Sequence, residues 1–127
     1  MSQGFIGLAQ DVELAMADLY SLFSELFPQD RPFWQQMSQE EHGHARLVVA
    51  FADQFRQGAS GTVDNAAFAQ RMINFIQHIR TYIAEHRQTG VERADAFNLA
   101  LQIERAAWEV HFHKTFAQLQ SVGNSDL

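Results

Sequence analysis

Residues 34–55 have the sequence WQQMSQEEHGHARLVVAFADQF, in which two polar side chains interrupt a helical pattern of apolar ones. One face of this segment follows an alternating spacing of three and four residues: Trp34, Met37, Glu41, His44, Val48, Phe51 and Phe55. Apolar residues at this spacing predict a helix with one buried face. Glu41 and His44 occupy two successive positions of that face. The segment therefore predicts a carboxylate and an imidazole that point toward the protein interior.

The pair Glu41 and His44 has a metal-binding interpretation and a simpler one. An uncompensated buried carboxylate costs several kcal/mol or takes up a proton. Residues three apart lie on the same side of a helix, so one metal ion can bind both side chains and compensate the burial. We therefore expect Glu41 and His44 to be metal ligands. The simpler alternative is a solvated pair at the edge of the helix face.

The rest of the chain divides into helical segments separated by short breaks. Proline occurs only in the turn at residues 27–33, and glycine-containing breaks lie at 58–62 and 89–90. We predict one domain over residues 1–127, with helices at about 7–27, 30–57, 63–88 and 91–120. Long amphipathic helices with short connections favour an antiparallel four-helix bundle. No alternating pattern predicts a strand, so the predicted fold class is all-α.

Two further acids lie on apolar helix faces. Glu13 follows Val12 in the first segment, and Tyr20 comes seven residues later. Glu104 lies among apolar residues of the last segment, and His111 comes seven residues later. For either acid alone, a carboxylate that reaches solvent from the helix edge is the simpler interpretation. Acids on the apolar faces of the first, second and fourth segments together favour a shared cation. The third segment differs from them, because its apolar face carries no acid.

These residues resemble the ferritin-like superfamily, and most closely its rubrerythrin-like members. Di-iron proteins of this superfamily use a lone Glu on each of two helices and a Glu-x-x-His motif on each of the other two. Glu13 and Glu104 are similar to the two lone Glu residues. Glu41 and His44 are similar to the first Glu-x-x-His motif, within FWQQMSQEEHGHARL. The resemblance implies that these four residues bind metal in a ferritin-like antiparallel bundle.

The resemblance also implies roles for two rings and for the third helix. Tyr20 takes the place of an aromatic residue that hydrogen-bonds a ligand from the second shell, and His111 takes the equivalent place in the second half. The helix at about 63–88 resembles an enlarged crossover between the halves. The interval of 28 residues from Glu13 to Glu41, applied to Glu104, ends beyond Leu127. We therefore expect one of three cases: the chain lacks the last conserved helix of the family and its Glu-x-x-His motif, a second copy of the chain supplies these ligands, or the site has decayed.

Two classes of function follow from this resemblance. The first is an iron-binding protein that oxidises ferrous iron or reduces peroxide at a carboxylate-bridged di-iron site. The chain has no cysteine, so a catalytic role would need a separate electron donor. The second is a helical interaction module whose incomplete metal site is not catalytic. A single iron, zinc or manganese ion is a third interpretation of the same ligands.

The charge and composition of the chain argue against two classes of partner and indicate a compartment. The formal net charge is −6, and no basic stripe offsets it, which argues against binding to nucleic acid or to an anionic membrane. The N-terminus lacks the basic and apolar regions of a signal peptide, and the chain has no cysteine, so we expect a cytoplasmic protein. A bundle without the last conserved helix would leave an apolar groove, which either a second copy of the chain or the helix at about 63–88, folded back, would cover. We favour the homodimer.

Overall fold

The computed structural model describes residues 5–50 and 65–107, and these residues are almost entirely helical. A 3-10 turn over Pro28–Asp30 joins the first two helices. The four α-helices, in chain order, are α1 Phe5–Leu26, α2 Arg31–Ala50, α3 Asn65–Thr89 and α4 Arg93–Ala107. Neither described range contains a β-strand, which confirms the all-α class for them. The predicted helix ends at residues 57 and 120 lie outside the described residues.

The helices end where the sequence supplies residues that interrupt them. Pro28 begins the 3-10 turn after α1, where its missing N–H costs no helical hydrogen bond. Gly90 has a φ of 78°, the left-handed conformation that glycine adopts without strain. Its N–H donates a hydrogen bond of 2.9 Å to the carbonyl of His86, which closes the last turn of α3. The break between α3 and α4 is therefore fixed by a single glycine.

Helix α1 lies at the centre of the described structure and contacts each of the other helices, α2 most extensively. Its apolar face is buried at Leu8, Val12, Ala15, Leu19 and Leu22, and Leu26 at its end is partly buried. Aromatic side chains extend this core toward α2 and α4. Trp34 of α2 is fully buried, and its ring lies 4.9 Å from the ring of Phe23 and 4.9 Å from that of Phe97. These contacts hold the helix faces that carry the predicted site against α1.

Polar contacts between helices give their relative directions. Arg80 pairs with Asp18, and Arg87 with Glu25 at 3.4 Å; both pairs join residues 62 apart. A constant separation means that α3 runs alongside α1 in the same direction. Arg93, at the start of α4, donates hydrogen bonds of 2.6 and 2.9 Å to the carboxylate of Asp30, just before α2. This contact aligns the beginnings of α2 and α4.

None of the helices in the described ranges combines the length and apolarity needed to cross a bilayer.

Candidate metal centre

Glu41 and His44 meet on the face of α2 that packs against α1. The Nδ1 atom of His44 lies 3.2 Å from Oε2 of Glu41, the geometry expected for residues three apart on a helix. Glu41 is only 2% exposed, as the apolar spacing predicts. The side chain of His44 is 41% exposed, so it lies at the boundary between the core and solvent. The pair therefore has one buried member and one that solvent reaches.

Glu13 brings a second carboxylate to the same point from α1. It is fully buried, and its Oε2 atom lies 3.5 Å from Nδ1 of His44. Its place on α1 follows from the helix spacing, because Val12 and Met16 beside it belong to the buried face. The carboxylate does not reach solvent from the helix edge, which was the simpler interpretation of this residue. Two helices thus direct their acids at one imidazole.

The donor atoms of Glu13, Glu41 and His44 lie close enough for one metal ion. One ligand atom from each residue lies within 4.8 Å of the other two. Ligand atoms about 2.0–2.2 Å from a transition metal are separated by at most roughly 4.4 Å. Small side-chain adjustments therefore bring all three atoms to bonding distance. These three residues could hold a metal ion, and their assignment as ligands stays a prediction.

Glu104 reaches the same region from α4 through Tyr20. The Tyr20 hydroxyl donates a hydrogen bond of 2.6 Å to Oε1 of Glu104, a short charge-assisted contact. The carboxyl groups of Glu104 and Glu41 also lie close enough to affect each other's pKa. Glu104 is thus linked to the three-residue cluster, although it is not one of its three converging donors. His111, the predicted counterpart of Tyr20, lies outside the described residues.

The electrostatics of these groups show how costly their charges are without a metal. Burial raises the pKa of the Glu41 carboxyl to about 7, and the hydrogen bond from His44 opposes this rise. Burial likewise raises the pKa of Glu104 to about 7, against the hydrogen bond from Tyr20. Burial and the adjacent Glu104 raise the pKa of Tyr20, which keeps its hydroxyl protonated as a donor.

For the imidazole of His44, in contrast to the two carboxyl groups, the surroundings favour the charged form. The hydrogen bond to Glu13, and to a smaller extent that to Glu41, raises the pKa of His44 to about 10, although burial lowers it. Without a metal, His44 is therefore an imidazolium ion that neutralises part of the carboxylate charge. A metal ion would replace this proton, since a ligating histidine is neutral. The cluster could thus hold a cation between its acids, either the proton on His44 or a metal ion.

Neighbouring groups of the same types do not join the cluster. Glu40 and His42 flank Glu41 on α2, and both are exposed. His78 and Glu85 on α3 are exposed as well. Among the described residues, the converging donors thus come from α1 and α2. The helical register, rather than residue type, selects them.

Trp34 also contributes to the site, although it was not predicted as a site residue. Its ring stacks on that of Tyr20 with a centroid distance of 5.8 Å and an interplanar angle of 27°. This contact fixes the ring that carries the hydroxyl bound to Glu104. The signal was present, because Trp34 lies seven residues before Glu41, two turns away on the same face.

Comparison of the chain with protein-family models, with curated proteins and with solved structures finds no significant match.

Proposed function

We propose that this chain is a ferritin-like, rubrerythrin-like protein that binds iron and oxidises it from the ferrous to the ferric state. The observation that carries the proposal is the convergence of Glu13, Glu41 and His44 from two helices, within 4.8 Å of one another. Buried acids around one imidazole have an electrostatic reason to attract a cation, since each carboxylate loses its hydration on burial. The predicted ligand set and the spatial arrangement thus have Glu13, Glu41 and His44 in common.

The directions of the helices fit the ferritin-like part of the proposal, and they also fit an ordinary up-down-up-down bundle. Helix α2 runs antiparallel to α1, because Ser38 bonds to Ala17 while His44, further along α2, meets Glu13, earlier on α1. Helices α2 and α4 run in the same direction, as the contact of Asp30 with Arg93 and the contacts further along both helices indicate. Two parallel helices joined by a crossover are a feature of ferritin-like bundles, and α3 takes the place of that crossover.

The donor atoms favour iron or manganese over zinc. Carboxylate oxygens with a single imidazole nitrogen suit iron and manganese, whereas zinc more often takes several nitrogen or sulfur ligands. Iron bound at such a site supplies one-electron redox chemistry toward dioxygen or peroxide. In the proposed function, Glu13, Glu41 and His44 hold ferrous iron as the substrate. Glu104, positioned by Tyr20, supplies a further carboxylate for a second ion of a bridged pair.

The half-exposed side chain of His44 supports access to this site from solvent. Glu13 is fully buried, but His44 is 41% exposed, so the cluster has one open side. In the proposed function, ferrous iron and a small oxidant such as hydrogen peroxide would approach from the side of His44. A peroxide-reducing role would draw electrons from a separate donor protein, because the chain has no cysteine to ligate an electron-transfer centre.

A second candidate is a helical interaction module with a non-catalytic cluster. The observation in its favour is the raised pKa of His44, about 10, caused by its hydrogen bonds to Glu13 and Glu41. A protonated His44 compensates the buried acids without any metal. In this alternative, the cluster fixes the packing of α1 against α2, and the protein acts through its helix surfaces.

Iron titration of the metal-free chain separates the two candidates. We expect the wild type to bind ferrous iron anaerobically and to develop ferric absorbance on addition of oxygen. Glu41→Gln and His44→Ala should each abolish uptake. Glu40→Gln and His42→Ala provide matched controls, since each changes an exposed neighbour of the same type. Iron content that is equal in all four variants would remove the metal-site assignment, and no uptake by the wild type would favour the interaction module.

A further inference from the structure

A cavity lined by apolar side chains opens between α3 and α4, away from the predicted ligands. Its volume is about 310 Å³, within the range of roughly 300–1,000 Å³ typical of small-molecule sites. Leu19 of α1 forms its floor, and residues of α3 and α4 form its walls, including Phe75, Ile79, Leu99, Ile103 and Ala106. None of Glu13, Glu41, His44 and Glu104 lines it. The cavity is therefore a separate feature of the fold.

A polar cleft of about 540 Å³ adjoins this cavity at the end of α3 and the start of α4. Tyr82, Leu99 and Gln102 line both spaces, so the two lie side by side, and together they are termed the groove. The polar part is lined by Glu92, Asp95, Asn98 and His86 in addition. One end of the groove thus suits a hydrocarbon, and the other suits a group that forms hydrogen bonds.

The charged groups around the polar cleft favour a cation. Glu92 and Asp95 are both exposed and line the cleft. The arginines closest in sequence are engaged elsewhere, since Arg93 binds Asp30 and Arg87 pairs with Glu25. Within the described ranges, the ion pairs include neither Glu92 nor Asp95. The cleft therefore presents two carboxylates to a ligand.

We propose that this groove binds a small amphiphile that has an aliphatic chain and a cationic amine head. The chain would occupy the apolar cavity against Ile79 and Ile103, and the ammonium group would lie beside Asp95 and Glu92. An aliphatic amine is protonated at neutral pH, as the lysine side chain is. A fatty acid of equal length would fit the cavity but would bring its carboxylate against these two acids. The site differs from the iron centre in place and in ligand chemistry.

Three probes of equal chain length test the proposal: octylamine, octanol and octanoate. Each is titrated calorimetrically at neutral pH into the full chain, kept metal-free so that octanoate has no metal to ligate. We expect octylamine to bind about threefold more tightly than octanol, the size of effect expected for exposed ion pairs, and octanoate to bind most weakly. Equal affinities, binding strongest for octanoate, or no binding of octylamine would each overturn the proposal.

Two substitutions assign the binding to the groove. Ala106→Trp fills the apolar cavity, and we expect it to weaken octylamine binding at least tenfold. Leu101→Trp is the matched control on the same helix, because Leu101 is 54% exposed and does not line the cavity. Asp95→Asn should leave octanol binding unchanged and should remove most of the preference for octylamine. A preference that persists in Asp95→Asn would contradict the position of the head group.

A measurement on the wild type tests the same site without any variant that could misfold. Methyl resonances of Ile79 and Ile103 should shift on addition of octylamine, with contacts between the ligand chain and these methyl groups. The methyl resonances of Val12, in the core away from the cavity, should remain unchanged. Shifts at Val12 without shifts at Ile79 and Ile103 would place the ligand elsewhere and overturn the proposal.

Discussion

The Tyr20 hydroxyl donates a hydrogen bond of 2.6 Å to the carboxylate of Glu104, across 84 residues of sequence. This contact joins α1 to α4 beside the three converging donors on α1 and α2. It also lowers the pKa of Glu104, against the rise that burial causes. Tyr20 therefore favours the ionised form of a carboxylate that the surrounding core would otherwise protonate.

Replacement of Tyr20 by phenylalanine should weaken both the fold and the metal site. The change leaves a partly buried carboxylate without its donor, at a cost of about 1.5–3 kcal/mol in the free energy of unfolding. Tyr20 does not bind metal itself but hydrogen-bonds a carboxylate beside the metal ligands. Loss of such a contact is expected to lower metal affinity by about 10- to 100-fold. Denaturant unfolding and metal titration measure the two effects. Tyr82→Phe is the control, and an equal loss in both variants would contradict a role specific to Tyr20.

Trp34 and Phe33 are adjacent aromatic residues with opposite expected effects on stability. Trp34 is fully buried against Tyr20 and Phe23, whereas Phe33 is 46% exposed. Trp34→Ala should therefore cost about 3–5 kcal/mol, as for other large core deletions. Phe33→Ala should cost less than about 1 kcal/mol. Denaturant midpoints of the two variants test this difference, and similar midpoints would show that Trp34 does not anchor the core.

Trp34→Phe tests whether this ring also positions Tyr20. Phenylalanine retains most of the apolar volume but loses part of the stacked surface under the Tyr20 ring. We expect the variant to stay folded, with a metal affinity lower than that of the wild type. A variant with unchanged affinity would mean that α1 alone positions Tyr20.

The helices and their buried faces could be predicted from the sequence, because the spacing of apolar residues along a helix indicates both. The spacing of three and four residues placed Glu41 on a buried face, and the structure confirms its burial. The same spacing placed His44 on that face but could not give its exposure, which depends on what packs over the end of α2. The pairing of Asp18 with Arg80 was also beyond prediction, since no local pattern specifies which distant helices meet.

Glu41→Gln should separate the requirements of the fold from those of metal binding. Burial raises the pKa of Glu41 to about 7, so the core tolerates a neutral group here more easily than a charged one. We expect the metal-free variant to retain the free energy of unfolding of the wild type within about 1 kcal/mol. It should lose the stabilisation that added metal gives the wild type. Glu40→Gln, at the exposed neighbour, should keep that stabilisation.

The stability of the metal-free chain should fall as pH rises from 5 to 8. Glu41 and Glu104 have a pKa of about 7 in the folded protein, above the ordinary carboxyl value of about 4.3. The folded state thus holds protons that the unfolded chain releases in this range, so deprotonation favours unfolding. His44, with a pKa of about 10, contributes stability that is fully present below about pH 6.5 and is lost toward pH 10. Denaturant unfolding at several pH values measures the trend.

Added metal should reverse this pH dependence. Metal binding requires ionised Glu13 and Glu41 and a neutral His44, so it releases protons and becomes tighter as pH rises. The stabilisation by a redox-inert probe such as Zn²⁺ should therefore be larger at pH 8 than at pH 5, where the metal-free chain is most stable. His44→Gln should remove the stabilisation by metal but keep the part of the metal-free trend that comes from Glu41 and Glu104, whereas His42→Gln should preserve both trends. A metal-free stability that increases from pH 5 to 8 would contradict the buried, partly protonated state of the acids on which the cation site depends.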